Sequence, residues 1–236
     1  MGCDIHMRAE VKISTPNNPK PTWKAVGRVF RSQYYRPKEV TVEGGYNEIL
    51  TNEPYDGRNY DLFAILADVR NGRGFAGCDT GDGFKPIVDP RGVPEDASEV
   101  YKKMVEEWGI DGHSHSWVTL DEIKAYNWSQ VTKSRGYVDV VGYKKFKKTG
   151  NPYPCSGDIC GHSIIKLTNK QMDMLIKGAI PPHGLIEKPE YITQIEWEET
   201  YAKCAGSFLT KTVPTLEKLL TKEYVQEVRL VFFFDN

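Results

Sequence analysis

Apolar and polar residues alternate from the start of the chain. Cys3, Ile5, Met7, Ala9 and Val11 fall on one side, and Asp4, His6, Arg8, Glu10 and Lys12 on the other. A period of two predicts a strand with one face in a core and the other carrying an acid, an imidazole and a guanidinium. WKAVGRVFRS (23–32) predicts a second strand, and residues 33–57 show no sustained period and read as a long loop. Over GRNYDLFAILADVRNG the period becomes helical: Leu62, Ile65, Leu66 and Val69 make a stripe, Asn59 caps the start and Asn71-Gly72 supplies the stop.

DASEVYKKMVEEWG predicts a second helix, with Val100, Met104 and Trp108 at intervals of four. A TLDE capping box at 119–122 starts a third, short one running to about Trp128. SRGYVDVVGYKKFKKTG reads as a strand or hairpin ending in a basic run, and LTNKQMDMLIKG as a short helix. A long helix is expected over residues 192–212, with Trp197, Tyr201, Ala205 and Phe208 on one face and Pro214 kinking or restarting it. The closing EVRLVFFFDN is too apolar for a half-exposed strand, which places it centrally.

Strands at both ends with most helices between them predict an α+β fold. The expected sheet is mixed or antiparallel, with the N- and C-terminal strands central, helices packed on it and a long Gly-rich loop at 72–95. One domain over 1–236 is expected, with an insertion at about 149–190. The net charge of −1 gives no long-range drive toward nucleic acid or a membrane surface. No apolar run approaches the roughly 20 residues of a membrane span, and no signal-peptide pattern opens the chain. Five widely spaced cysteines favour reduced thiols in a cytoplasm.

Two polar constellations carry candidate chemistry. Asp4 and His6 share a strand face, and DGHSHSW repeats the spacing with Asp111, His113 and His115. Facing each other, these five would suit a divalent metal such as zinc or manganese; the alternative is a loop whose histidines bond backbone carbonyls. Arg58, Asn59 and Tyr60 open the first long helix, and Arg91 sits in a Pro-Arg-Gly turn, which together suit an anionic ligand. Cys155, Cys160 and His162 lack the paired knuckles of structural zinc and read as unligated. Cys3 as a nucleophile ranks lower, because its position points inward. The lysines at 144–148 read as a solvated hairpin, and Gln194, Glu196 and Glu198 as a solvent face rather than an ADP-ribosyltransferase element.

GCDIH at the start, GRNYDLFAILADVRN, the Pro-Arg-Gly turn, DGHSHSWVTL and the closing VRLVFFFDN together resemble uncharacterised proteins of bacteriophage and prophage genomes. The resemblance runs from end to end and implies expression inside an infected bacterial host. It directs attention to Asp4, His6, Arg58, Asn59, Arg91, His113, Ser114, Ser116 and Trp117.

The combined expectation is a cytoplasmic phage accessory (counter-defence) protein that sequesters a phosphate-bearing, nucleotide-like small molecule. Asp4, His6, Arg58, Asn59, Tyr60, Arg91, His113, Ser114, Ser116 and Trp117 would bind it, with arginines on phosphate and aromatics on the base. The alternative is a metal-dependent phosphoester hydrolase using Asp4, His6, Asp111, His113 and His115. A weaker one is an inhibitor that binds a host protein through the basic hairpin at 133–148. A homo-oligomer is left open.

Overall fold

Strand β1 (Asp4–Thr15) runs antiparallel to β9 (Val225–Asp235), from Asp4 opposite Asp235 to Ile13 opposite Val225. Strand β2 (Asn18–Ala25) pairs with the free edge of β1 and β5 (His113–Thr119) with that of β9, giving the order β2-β1-β9-β5. The fold is α+β, with the terminal strands central as expected. The structure, a computed structural model, describes residues 2–15, 18–26, 28–32, 47–51, 53–73, 79–179, 186 and 188–236.

The chain divides into two compact units. The terminal-strand unit comprises Cys3–Asn59, Ile87–Tyr126 and Ala205–Asn236. It also holds a hairpin of β3 (Arg28–Ser32) and β4 (Asn47–Thr51). The expected loop at 33–57 therefore contains a strand, and its stretch 33–46 lies outside the described residues.

Both faces of the four-stranded sheet are covered. Cys3, Ile5, Met7, Ala9 and Val11 are buried as the alternation requires, on the face shared with Phe232 and Phe234. The opposite face carries the polar half of β1 together with Val231 and Phe233. These two pack against Tyr101 and Met104 of helix α2 (Glu99–Trp108), whose amino end is capped by Ser98. Helix α3 (Leu120–Ala125) starts on the expected capping box, Thr119 with Glu122, and ends before Trp128.

The second unit contains Tyr60–Pro86 and Asn127–Cys204, and the segment 149–190 belongs to it. Helix α1 (Tyr60–Ala67) is buried over Leu62–Ala67. It stops before Asn71-Gly72, because Asp68 and Arg70 both adopt positive φ, 58° each. The sheet has the order β6-β8-β7, from β6 (Val131–Asp139), β7 (Ile164–Leu167) and β8 (Glu190–Thr200). Helices α4 (Val140–Thr149) and α5 (Asn169–Ile176) supply Tyr143 and Met172 to its core.

Two expectations are corrected here. The basic run is helical, since Asp139 caps α4 by accepting from the Gly142 amide at 2.6 Å and Gly150 closes it at φ 69°. The long helix expected over 192–212 is mostly strand. Thr193, Ile195 and Glu199 point inward and Gln194, Glu196 and Glu198 outward, a two-residue period that the helical reading of Trp197 and Tyr201 overrode. Helix α6 (Tyr201–Ala205), a π turn over Phe208–Thr212 and α7 (Val213–Leu220) follow, with Pro214 in the first turn of α7. Among the described residues no helix is long and apolar enough to cross a membrane.

Part of the Gly-rich segment, residues 74–78, lies outside the described residues. The stretch beyond it is pinned to β6: Asp82 N donates to Lys133 O, and Arg135 N to Thr80 O. A Cβ on Gly81 would sit 3.0 Å from both Lys133 O and the Ser134 Cα, so a side chain here would crowd the β6 backbone. Asn71 clamps the end of the stretch by donating to Phe84 O and accepting from Phe84 N, each at 2.7 Å.

Candidate functional site

The polar face of β1 is engaged within the terminal-strand unit. Asp4 receives Nε and Nη2 of Arg58, and the guanidinium holds its carboxyl below the usual carboxylate range. His6 lies 4.1 Å from the Trp108 ring and 5.0 Å from the Phe233 ring, with Nε2 3.3 Å from Asp235 Oδ2. Arg91 donates both Nη atoms to the Glu122 carboxylate and stacks 4.6 Å over Trp117. The Ser116 hydroxyl is buried and accepts from the Arg91 amide, and Asn59 bonds the Tyr55 hydroxyl.

The HSHS segment departs from simple alternation. His113 registers with Phe234 and Ser116 with Phe232, so three steps on β5 match two on β9. The extra residue makes a β-bulge, with Ser114 at φ 50° and its hydroxyl 3.0 Å from His113 Nδ1. The bulge moves His113 to the Phe234 side, while His115 stacks 5.1 Å from Phe233 on the other. Asp111 sits exposed in a 3-10 turn. The five expected metal ligands are therefore not brought together, and among the described residues no group of three or more His, Cys, Asp or Glu is arranged to hold a metal ion. Cys3 is fully buried, and the exposed Cys160 thiol donates to Asp158.

A cavity of about 190 Å³ opens in the other unit, and of the expected ligand-binding residues its lining includes Tyr60. Tyr60 and Asp61 enter from the first turn of α1, and Arg70 and Arg73 from the turns that follow it. Thr132 and Ser134 come from β6, opposite Glu199 and Trp197 of β8, and Trp197 also lines the space. Tyr153 and Cys155 close it from the segment whose Ser156 bridges to Tyr137 of β6. Arg70 packs 5.5 Å over the Tyr60 ring. Arg135 and Gly157 line both this cavity and a polar groove of about 390 Å³ containing Lys166.

The carboxyl groups here are pushed apart in acidity. Glu199 is 5% exposed, and its Oε2 accepts from Trp197 Nε1 at 2.8 Å and Tyr153 Oη at 2.9 Å. Its Oε1 meets Lys203 Nζ at 2.7 Å. Burial works against its charge, but these donors prevail and keep it ionised. Asp61 is raised to about 6, by burial first and by the Glu199 charge second. The Cys204 thiol, which bonds Asp61, is pushed up to about 12, and burial raises Cys155 too, so neither is an activated nucleophile.

No family model, curated protein or solved structure matches the chain. The cavity is defined by its own residues. Arg70, Arg73, Asp61 and Trp197 come from a helix start, the turns after that helix and a strand, and share no spacing that the sequence alone exposes. The one local signal was RNGRG, two arginines flanking an Asn-Gly turn.

Proposed function

We propose that the second unit binds a small phosphate-bearing, nucleotide-like molecule, and holds it rather than transforming it. The supporting observation is one cavity lined by three arginines (Arg70, Arg73, Arg135) and four aromatic residues (Tyr60, Phe84, Tyr153, Trp197). Arginine suits phosphate through its fork of donors, and aromatic faces suit a base. A volume of about 190 Å³ falls below the roughly 300–1,000 Å³ of whole-ligand pockets. The cavity would hold one ring system, with the rest of the ligand toward the groove that shares Arg135. The bacteriophage setting, and with it a counter-defence role, rests on the sequence blocks quoted above.

Calorimetric titration with nucleoside monophosphates and ADP-ribose tests this reading. Binding should weaken about tenfold or more in Arg73→Ala, since a charged hydrogen bond contributes roughly 1.5–3 kcal/mol. Arg73 is exposed, so the melting temperature should hold. Heating the complex should release the ligand unchanged. Equal affinity in Arg73→Ala, or no uptake of any of these compounds, would count against the cavity.

A further inference from the structure

We propose that Asp61 makes this cavity selective for a guanine-type base, its carboxylate accepting the two adjacent N–H donors on that ring's edge. The inference rests on the nucleotide-binding reading and goes beyond it by naming the base. Among the residues lining the cavity, Asp61 is the carboxylate, and it stands beside Tyr60, whose ring also lines the space.

Its surroundings stabilise the charged form poorly. Cys204 of α6 offers a thiol, a weak donor, and Glu199 of β8 presents a fixed like charge. Cys155 and Tyr153, from the segment before β7, carry protons that burial holds firmly. Arg70 and Arg73 line the same cavity as Asp61, so a ligand whose base meets Asp61 has guanidinium groups within the same space for its phosphate.

A carboxylate has two oxygens and accepts a pair of parallel N–H donors. Guanine presents such a pair, the ring N–H and the exocyclic amine. Adenine and cytosine present a donor beside an acceptor, and uracil a donor between two acceptors, so each would leave a carbonyl or ring-nitrogen lone pair against the carboxylate. With its acidity near 6, Asp61 is mostly ionised at pH 7.5 and matches guanine there. Below pH 6 it becomes an acid with one donor and one acceptor, which matches adenine instead.

Titrating the full chain with GMP, IMP and AMP at pH 7.5 and at pH 5.5 tests the assignment. At pH 7.5 GMP should bind about tenfold or more tightly than AMP, with IMP, which lacks the amine, between them. The GMP preference should shrink at pH 5.5. Asp61→Asn, which pairs one donor with one acceptor, should lose most of the GMP advantage as AMP affinity holds or rises, and Asp61→Leu should lose it as well. AMP binding as tightly as GMP, or a GMP preference that survives both substitutions, would overturn the role of Asp61 and leave nucleotide binding standing. Failure of all three nucleotides to bind would overturn both.

Discussion

Glu10 and Arg229 face each other across the β1–β9 pair, 0% and 2% exposed, with Arg229 Nε 2.8 Å from Glu10 Oε2. The other Glu10 oxygen accepts from the Ser98 amide at the start of α2, and Arg229 stacks 3.9 Å over Trp23 and reaches Asp96. A buried pair costs desolvation of both ions, and its partners must be present together. Glu10→Ala should lower unfolding stability by about 3–5 kcal/mol in urea melts, because it removes the buried counter-ion of Arg229 and leaves only the largely exposed Asp96 carboxylate. Glu10→Met combined with Arg229→Leu should recover most of the loss. Additive losses in the double variant would show that the ions do not act as a pair.

Asp61 should reduce stability at neutral pH. Its folded acidity is about 6 against an ordinary 3.8, so between those values the folded state holds the proton more tightly than the unfolded state. Stability therefore falls as pH rises through that window and stays lower above it. Asp61→Asn should raise the melting point at pH 8, by the equivalent of up to about 3 kcal/mol, and leave it nearly unchanged at pH 3.5. A uniform shift at both pH values would mean that titration is not the cause.

His115 should give the opposite slope. Burial first, and the charge of His113 second, hold its proton affinity below the ordinary 6.5. The unfolded chain then takes up a proton before the folded one, so stability falls as pH drops below about 6.5. His115→Phe, which keeps a ring against Phe233, should flatten that part of the stability–pH curve measured by denaturant titration.

The Ser114 bulge should tolerate glycine and resist a β-branched residue. At φ 50° an L-residue is disfavoured by roughly 1–2 kcal/mol, so Ser114→Gly should be neutral or mildly stabilising and Ser114→Val should destabilise by more than 1 kcal/mol. Equal midpoints for the two variants would remove the backbone argument.

Asn71 should control local opening next to the cavity. With two bonds to the Phe84 backbone, Asn71→Ala should speed hydrogen exchange at the Phe84 amide, while the core amides of β8 exchange as before. A global increase in exchange would instead place Asn71 in the cooperative core.

Local chemistry made much of the fold readable in advance. The alternation of Cys3 through Val11 placed β1, the apolar run at 228–234 placed β9 at the sheet's centre, and the Thr119–Glu122 box opened α3. Each of these depends on residues a few positions apart. Over 192–200, apolar residues satisfied both a two-residue and a helical period in part, and pairing with β6 decided for strand.

The site needed tertiary structure for two physical reasons. A bulge of one residue reverses which face a side chain occupies, so the equal spacing of Asp4/His6 and His113/His115 did not make them converge. A polar strand face can also be roofed by a helix, and the ions on β1 found partners from β9, the Arg58 segment and Ser98 just before α2. The sequence by itself determined which residues form the terminal strands and where several helices begin, because capping and periodicity act over a turn or a few residues. Only the folded chain decided that Asp61, Arg70, Arg73 and Trp197 share a cavity, because burial and proximity depend on segments more than a hundred residues apart.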